Sequence, residues 1–186
     1  MQQIKKESSD LFQYIAENQF ENIQNLFEYH FFEKGDYIIK ENELVSTIYF
    51  IKSGLVKLSY TDSDAKESIL SFAFEGWWET DFSAFYNETK AVLNLQCIEE
   101  TEVFSLKREN YLKMINEFQL SNYFLEKSIK GHIANQNRIL SLLSNSPKEK
   151  YEYFLKIYPS LIQRIPKTIL AQYLGVSRET LSRIYK

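Results

Sequence analysis

The segment from Thr168 to Ile184 reads TILAQYLGVSRETLSRI and has the pattern of two short helices joined by a tight turn. Ala171 is small where two helices must cross closely, and Gly175, four residues later, permits the positive φ that the turn requires. Ser177 is a good N-cap for the second helix. Apolar residues recur at spacings that close a small core between the helices: Leu170, Leu174, Val176, Leu181 and Ile184. The segment therefore predicts a helix-turn-helix.

The second predicted helix leaves a polar face at its start, made of Arg178, Glu179, Ser182 and Arg183. In helix-turn-helix proteins, the first turns of this helix enter the major groove of DNA. An Arg side chain can pair with guanine N7 and O6, and a Glu can accept from the amino group of cytosine. We therefore expect the chain to bind double-stranded DNA. The alternative interpretation is an ordinary helical hairpin with solvated charges.

The net charge of -3 is distributed unevenly along the 186 residues. Residues 1–117 carry 11 Lys or Arg against 21 Asp or Glu, whereas residues 146–186 carry 8 against 3. An acidic body with a basic C-terminal part suits a protein that presents only that end to phosphates. We expect three parts: a sensor domain over 1–117, a dimerisation helix over 118–145 and a DNA-binding domain over 146–186.

Several function classes are disfavoured by composition. The chain has one cysteine, Cys97, and two histidines, His30 and His132. One cysteine rules out a disulfide framework, a four-cysteine zinc site or an all-cysteine iron–sulfur cluster within one chain, so we expect no metal or cofactor. No nucleophile–base–orienter pattern or phosphate-binding loop stands out, so we expect no enzyme. No run of eighteen apolar residues occurs, which predicts a cytoplasmic protein without membrane contact.

Between Phe31 and about Leu106 the sequence breaks into short runs rich in Ile, Val, Tyr and Phe. Turn residues separate these runs: Ser53-Gly54 divides two of them, and residues 61–64 form a hairpin loop before the next. Such spacing is typical of an antiparallel sandwich or barrel. We expect a double-sheet jelly roll.

A long helical pattern follows Lys107 and carries an apolar seam interrupted by one amide, at Leu125, Ile129, Ile133, Gln136, Leu140 and Leu143. The seam either packs on its own roll or pairs with the same helix of a second chain, with Gln136 helping to set register. We favour the homodimer, because a reader with one recognition helix gains affinity by engaging two half-sites. Gly131 inside this helix should have a packing reason, since glycine destabilises helix interiors.

Two further helix starts are marked by capping residues. Ser146-Pro147-Lys148-Glu149 combines a capping box with Pro at the first helical position, which predicts a hinge at 145–147 and a short helix to about Tyr158. Near the N-terminus, Ser9 or Asp10 can cap a helix that leads toward Phe27. Strands followed by helices make the fold class α+β.

This order of elements resembles the Crp/Fnr family of bacterial transcription regulators, over nearly the whole chain. The most specific local match is 177–183, which looks like the family's recognition helix. Weaker matches are 52–56, similar to a turn inside the family's cyclic-nucleotide-binding-like roll, and 99–103, similar to its closing strand. The resemblance implies a regulator with an N-terminal sensing roll, for which RNA polymerase is a further possible partner.

The resemblance also implies roles for individual residues. Arg178, Glu179 and Arg183 would read bases, with Ser182 as a further polar contact and Thr180 in the same set, at half-sites similar to TGTGA or TTGAT. Ser177, Lys167 and Thr168 are candidates for phosphate contacts, since helix starts offer N–H groups to anions. The sequence leaves little or no room for the family's two-stranded wing, so we expect modest affinity and strong dependence on dimerisation and low salt.

The chain departs from cyclic-nucleotide-binding members of the family at the ligand cassette. Thr80-Asp81 stands where a Gly-Glu pair for the ribose is expected, and Ala91-Val92 where an Arg with Ser or Thr for the cyclic phosphate is expected. A buried phosphate without its guanidinium is very costly, so we expect weak or no binding of cyclic AMP. The four cysteines of the oxygen-sensing branch are absent too.

An unknown small apolar or aromatic effector remains an expectation, because the corresponding stretch is rich in aromatic residues. The candidate ligand residues are Trp77, Trp78, Asp81, Phe82, Phe85, Tyr86, Gln136 and Asn137. A different class of function is also open: a ligand-binding or protein-interaction module whose C-terminal helices regulate it without reading bases.

Overall fold

The computed structural model describes residues 11, 14–15 and 19–184. Its N-terminal part is a roll of two antiparallel four-stranded sheets, with strand orders β1-β8-β3-β6 and β2-β7-β4-β5. The strands are β1 (Phe27–Phe32), β2 (Tyr37–Ile39), β3 (Thr47–Ser53), β4 (Val56–Thr61), β5 (Glu67–Ala73), β6 (Trp78–Glu79), β7 (Asn94–Cys97) and β8 (Thr101–Lys107). The predicted double-sheet roll and the α+β class are confirmed.

The predicted turn at Ser53-Gly54 lies between β3 and β4. Gly54 has φ +106°, and a Cβ there would lie 2.7 Å from the backbone of Glu100 and Thr101. Only glycine fits this approach, which brings the β3–β4 turn against the start of β8.

The N-terminal helix differs from its prediction. The proposed caps, Ser9 and Asp10, lie outside the described residues, and the described helix α1 covers only Phe20–Gln24. Phe27 already begins β1, where it pairs with Leu106 of β8. Pairing with a distant strand therefore outweighs the apolar spacing that suggested a longer helix.

Six helices complete the described fold: α2 (Phe82–Asn87), α3 (Arg108–Asn116), α4 (Ser121–Ser144), α5 (Pro147–Ile157), α6 (Lys167–Leu174) and α7 (Arg178–Ile184). At 24 residues, α4 is about 36 Å long at the usual rise. Trp78 Nε1 donates to the Tyr123 hydroxyl at 2.9 Å, which ties the start of α4 to the roll.

The predicted helix start at Ser146 is confirmed. Ser146 Oγ accepts from the Glu149 N–H, the Glu149 carboxylate accepts from the Ser146 N–H, and Pro147 is the first helical residue. Asn145 is extended, with φ −91° and ψ 144°, so α4 ends there. The chain thus changes direction between α4 and α5 at a site that local capping chemistry determines.

The buried side chains form two clusters. The larger fills the roll and includes the start of α4. The smaller joins Leu55, Ile69 and Ile98 of the roll to residues of the last three helices and of the segment between α5 and α6: Phe154, Leu161, Ile165, Leu170, Ala171, Tyr173, Leu174 and Leu181. The C-terminal helices therefore share a core with the roll, which the sequence did not predict.

Candidate nucleic-acid interface

The turn between α6 and α7 has the geometry that its residues favour. Gly175 is left-handed, with φ 64° and ψ 36°, and its N–H bonds back to the last carbonyls of α6. Ser177 Oγ accepts from the Thr180 N–H at 3.1 Å and therefore caps α7. A turn of three residues, from Gly175 to Ser177, therefore joins the two helices.

One side of this helix pair is buried and the other is exposed. Leu170, Ala171, Leu174 and Leu181 are buried, and Val176 and Ile184 are half-buried. Leu181 anchors α7 inward, whereas most of the residues beside it are exposed. All four residues of the predicted polar face are exposed: Arg178, Glu179, Ser182 and Arg183.

The exposed face of α7 carries both donors and an acceptor. A hydrogen bond from its own backbone N–H and one from the Ser177 hydroxyl lower the pKa of Glu179. The carboxylate is therefore ionised at neutral pH and can only accept hydrogen bonds, whereas Arg178 and Arg183 can only donate. This combination matches the donors and acceptors that base pairs present in the major groove.

The remaining candidate residues lie at the starts of the two helices. Lys167 and Thr168, in the first turn of α6, are exposed. Thr180 is half-buried, and its hydroxyl oxygen lies 3.0 Å from Ser177 Oγ. Ser177 and Thr180 thus hold the start of α7 in place, in addition to any contact with a phosphate.

The seam predicted on α4 is largely uncovered within the chain. Leu125, Ile129, Ile133, Leu140 and Leu143 are between 49% and 82% exposed, and Gln136 is exposed. The seam therefore does not pack on its own roll. Gly131 also lacks the expected packing reason within the described chain, because a Cβ added there meets no atom within 4 Å.

The helix-turn-helix is attached to the roll by a forked ion pair that sequence reasoning missed. Arg164, between α5 and α6, donates to both carboxylate oxygens of Glu75 at 2.9 and 3.0 Å and also to Glu99. Burial acts to raise the pKa of Glu75, but hydrogen bonds led by that from Arg164 bring it below its usual value. No local pattern points to this contact, because Arg164 is 89 and 65 residues from its partners.

Aromatic and cationic contacts extend the same attachment. The Phe72 ring of β5 lies 4.7 Å from the Tyr173 ring of α6. Arg138 of α4 stacks over Tyr173, with its guanidinium carbon 3.7 Å from the ring centroid, and donates to the backbone oxygens of Tyr173 and Ile69. One arginine therefore links α4, α6 and β5.

The eight candidate ligand residues are not gathered around one cavity. Trp78 and Phe85 are in the core of the roll, whereas Phe82, Tyr86 and Gln136 are exposed. Trp77 and Asn137 do line one cavity together. The aromatic residues of this stretch alternate between core and surface because strand β6 and helix α2 place neighbours on opposite sides.

Asp81 has a different environment from the one expected for a ligand contact. Its buried carboxylate accepts from the N–H groups of Ala84, at 3.1 Å, Val92, at 2.9 Å, and Leu93, at 3.2 Å. These donors belong to the first turn of α2 and to the loop before β7. The Asp81 side chain therefore already accepts the hydrogen bonds that the backbone N–H groups of Val92 and Leu93 can donate.

Among the described residues, no group of three His, Cys, Asp or Glu side chains is arranged to hold a metal ion. Cys97 is buried, and burial raises the pKa of its thiol to about 11, so it is neutral at physiological pH. Within residues 19–184 no helix is both long and apolar enough to cross a membrane.

Residues 29–118 match the family model of the cyclic nucleotide-binding domain. The chain is 26% identical over 181 residues to the cyclic AMP receptor protein of Thermus thermophilus, spanning 95% of this chain and 83% of that protein. FixK2 from Bradyrhizobium japonicum superposes with a TM-score of 0.74 at 19% identity, over 86% of this chain and 82% of that one. A transcriptional regulator of the Crp/Fnr family from Eubacterium rectale gives 0.71 at 17% identity, over 94% and 84%.

These likenesses cover the roll through the family model and most of the chain through the solved structures. The chain is therefore similar in fold to regulators of the Crp/Fnr family.

Proposed function

We propose that the protein is a homodimeric, sequence-specific DNA-binding transcription regulator. The observation that carries the proposal is the polar face of α7, defined by Arg178, Glu179, Ser182 and Arg183, exposed above the buried Leu181. A rigid pair of helices with such a face suits the major groove. The exposed seam on α4 supports a second copy, which would supply a second reading face.

Within this proposal, each residue has a role. Arg178, Glu179 and Arg183 read base edges, Ser182 and Thr180 lie beside them, and the shared GA step of TGTGA and TTGAT is read by Glu179 and Arg183. Ser177, Lys167 and Thr168 hold the phosphate backbone, so their loss weakens all sequences alike. Residues 1–117 sense, 118–145 pair with the second chain, and 146–186 bind DNA.

The regulator does not respond to cyclic AMP under this proposal. The loop donors that stand near the expected phosphate contacts, Val92 and Leu93, are already bonded to the Asp81 carboxylate. A cyclic phosphate would face this negative charge without a guanidinium from Ala91 or Val92. Saturable micromolar binding of cyclic AMP in calorimetry would contradict this part.

Selection of bound fragments from a pool of random duplexes, at defined salt and with the full chain, tests the proposal. We expect enrichment of an inverted repeat with TGTGA-like or TTGAT-like half-sites, centred about one helical turn apart. Enrichment of no sequence would instead favour a module whose C-terminal helices regulate it without reading bases. Deleting the C-terminal helices is a poorer test, because they share a core with the roll.

A further inference from the structure

A cleft of about 450 Å³ lies where the roll, α4, α5 and α6 meet. Aromatic rings from the roll and from the C-terminal helices form its walls, among them Phe74, Trp77, Tyr153, Tyr158 and Tyr173. The Phe74 ring lies 5.8 Å from that of Trp77 and 6.1 Å from that of Tyr158, so the rings support one another. Its size is within the range of ligand pockets, roughly 300 to 1,000 Å³.

The charges around the cleft all have one sign. Lys130 and Arg138 of α4 and Lys150 of α5 line it, and none of the described lining residues is an Asp or a Glu. Lys130 is paired with Glu126, outside the cleft, at 2.6 Å. Arg138 is bonded to two backbone oxygens, which leave its charge uncompensated by a carboxylate in the described part of the chain.

Lys150 is the cation best suited to contact a ligand. It is half-buried beside the aromatic walls and makes no ion pair with any residue that the structure describes. A partly desolvated ammonium gains from a carboxylate within hydrogen-bond distance, because charge-assisted hydrogen bonds are strong where water is limited.

We propose that this cleft binds a small aromatic anion, with its ring system between the aromatic walls and its carboxylate on Lys150. The site is separate from the loop that Asp81 occupies. The binding site itself does not depend on DNA recognition. Because its walls come from the roll, α4 and the C-terminal helices, an occupant would couple these parts, and that consequence rests on the proposed function.

A second copy of the chain is the competing occupant. Ile133 belongs both to the seam on α4 and to the wall of the cleft. A partner helix on the seam would approach the cleft from this side. The positive charges around the cleft favour a small anion over a partner helix, because none of the seam residues has a carboxylate that could pair with Lys150.

Calorimetry with 2-naphthoate and with its uncharged isostere 2-naphthamide tests the proposal on the full chain, in the absence of DNA. We expect saturable binding of one naphthoate per chain and binding of the amide that is weaker by about tenfold or more, since only the acid can pair with Lys150. Lys150→Gln should reduce the naphthoate affinity to that of the amide. The control Lys148→Gln, on an exposed residue of the same helix that pairs with Glu152, should leave both affinities unchanged.

The proposal would be overturned by no saturable naphthoate binding, by equal affinities for acid and amide, or by an unchanged naphthoate affinity in Lys150→Gln. Binding to a monomeric Leu140→Glu variant but not to the unaltered chain would also overturn it, because the second copy would then fill the cleft. Since no DNA is present, these outcomes are independent of whether α7 reads bases.

Discussion

Arg183 is the single side chain whose loss should affect DNA recognition most specifically. Its side chain is exposed on α7, so replacing it with Ala removes no buried contact. If Arg183 reads a base, the substitution should cost about 1 to 3 kcal/mol on the selected duplex and relax specificity at one base position, while binding to random duplex changes little. Fluorescence anisotropy on both duplexes at one salt concentration measures this.

Lys156→Ala is the matched control for Arg183→Ala, because Lys156 is an exposed cation on α5, outside the proposed reading face. It should not alter the preference for the selected duplex. Equal losses on selected and random duplexes for Arg183→Ala would refute its base-reading role.

The buried carboxyl of Glu79 predicts a pH effect on stability. Burial raises its pKa from about 4.5 to about 7, and the nearby Asp81 charge acts in the same direction. Between these two values the folded state holds a proton that the unfolded state releases. The contribution of Glu79 to the free energy of unfolding is therefore complete below pH 4.5 and is lost as the pH rises through 7. The loss amounts to about 3 kcal/mol. Glu79→Gln should abolish this loss and be the more stable chain at pH 8.

Urea unfolding of both chains from pH 4.5 to pH 8 measures the difference. Glu41→Gln, the same substitution at an exposed carboxylate, is the matched control. A constant difference between Glu79→Gln and the unaltered chain over this range would contradict the protonated state of Glu79.

Local chemistry explains which residues the sequence could predict. The positive φ of Gly175 and the caps at Ser177 and Ser146 depend on neighbours within four residues, and the structure has them as predicted. The role of Asp81 depends on N–H groups 11 and 12 residues away, whose approach is set by the loop before β7. No spacing rule contains that information.

Among the helices and strands, α4 predicts the oligomeric state through its exposed seam. Leu140 is 63% exposed within the chain, so Leu140→Glu should leave the protomer folded. Charges facing each other across a twofold axis should separate the dimer. Sedimentation equilibrium should give a mass near 22.1 kDa for the variant and twice that for the unaltered chain.

Asn135→Glu places the same charge on an exposed residue of α4 away from the seam and should remain dimeric. A dimeric Leu140→Glu variant, or a monomeric unaltered chain, would show that the seam is not the interface.

Gly131 offers a test of α4 itself. A Cβ at this residue meets no atom within 4 Å. Gly131→Ala should therefore stabilise the chain by roughly 0.5 to 1 kcal/mol through helix propensity, measured as a higher urea midpoint. Destabilisation would mean that a second chain or a ligand approaches this backbone. Ser128→Gly, at an exposed residue of the same helix, should have the opposite effect.

The elements with strong local signals were predictable and the N-terminal one was not. The roll, the break at 145–147 and the terminal helix pair follow from turn residues, capping residues and apolar spacing. Residues 27–30 have apolar spacing that suits either a helix or a strand, and pairing with β8 determines the strand. The sequence left open whether the seam on α4 packs on its own roll. In the structure the roll covers other residues of α4 and leaves the seam exposed.

Across the fold, Arg164 should control how firmly the C-terminal helices are held to the roll. Arg164→Met removes the fork to Glu75 and Glu99 and should cost about 1 to 3 kcal/mol, since charge-assisted hydrogen bonds are lost from a partly buried site. Hydrogen exchange in α6 and α7 should become faster. Urea unfolding and exchange mass spectrometry measure the two effects.

Lys148→Met breaks an exposed pair with Glu152 and should change stability by less than about 0.5 kcal/mol. If Arg164→Met behaves in the same way, the fork does not hold the helices to the roll.

The attachment of the C-terminal helices to the roll was not predictable from the sequence. The net charge of each segment does not show which charged residues of one segment contact those of another. The acidic body and basic C-terminal part suggested separate units. In the structure Arg164 contacts two carboxylates of the roll, and the smaller buried cluster contains side chains from both parts. The two Arg164 contacts join residues that are 65 and 89 apart in sequence, and only the folded chain brings them together.

Two identical reading faces, spaced by the long helix, should recognise two half-sites on one side of the duplex. Titration of the full chain against the selected inverted repeat, and against the same repeat with about five base pairs inserted between its halves, measures this spacing directly. Half a turn of extra DNA moves one half-site to the opposite side, so affinity should fall to that for a single half-site. Equal affinity for both duplexes would contradict a rigid dimer reading DNA through α7.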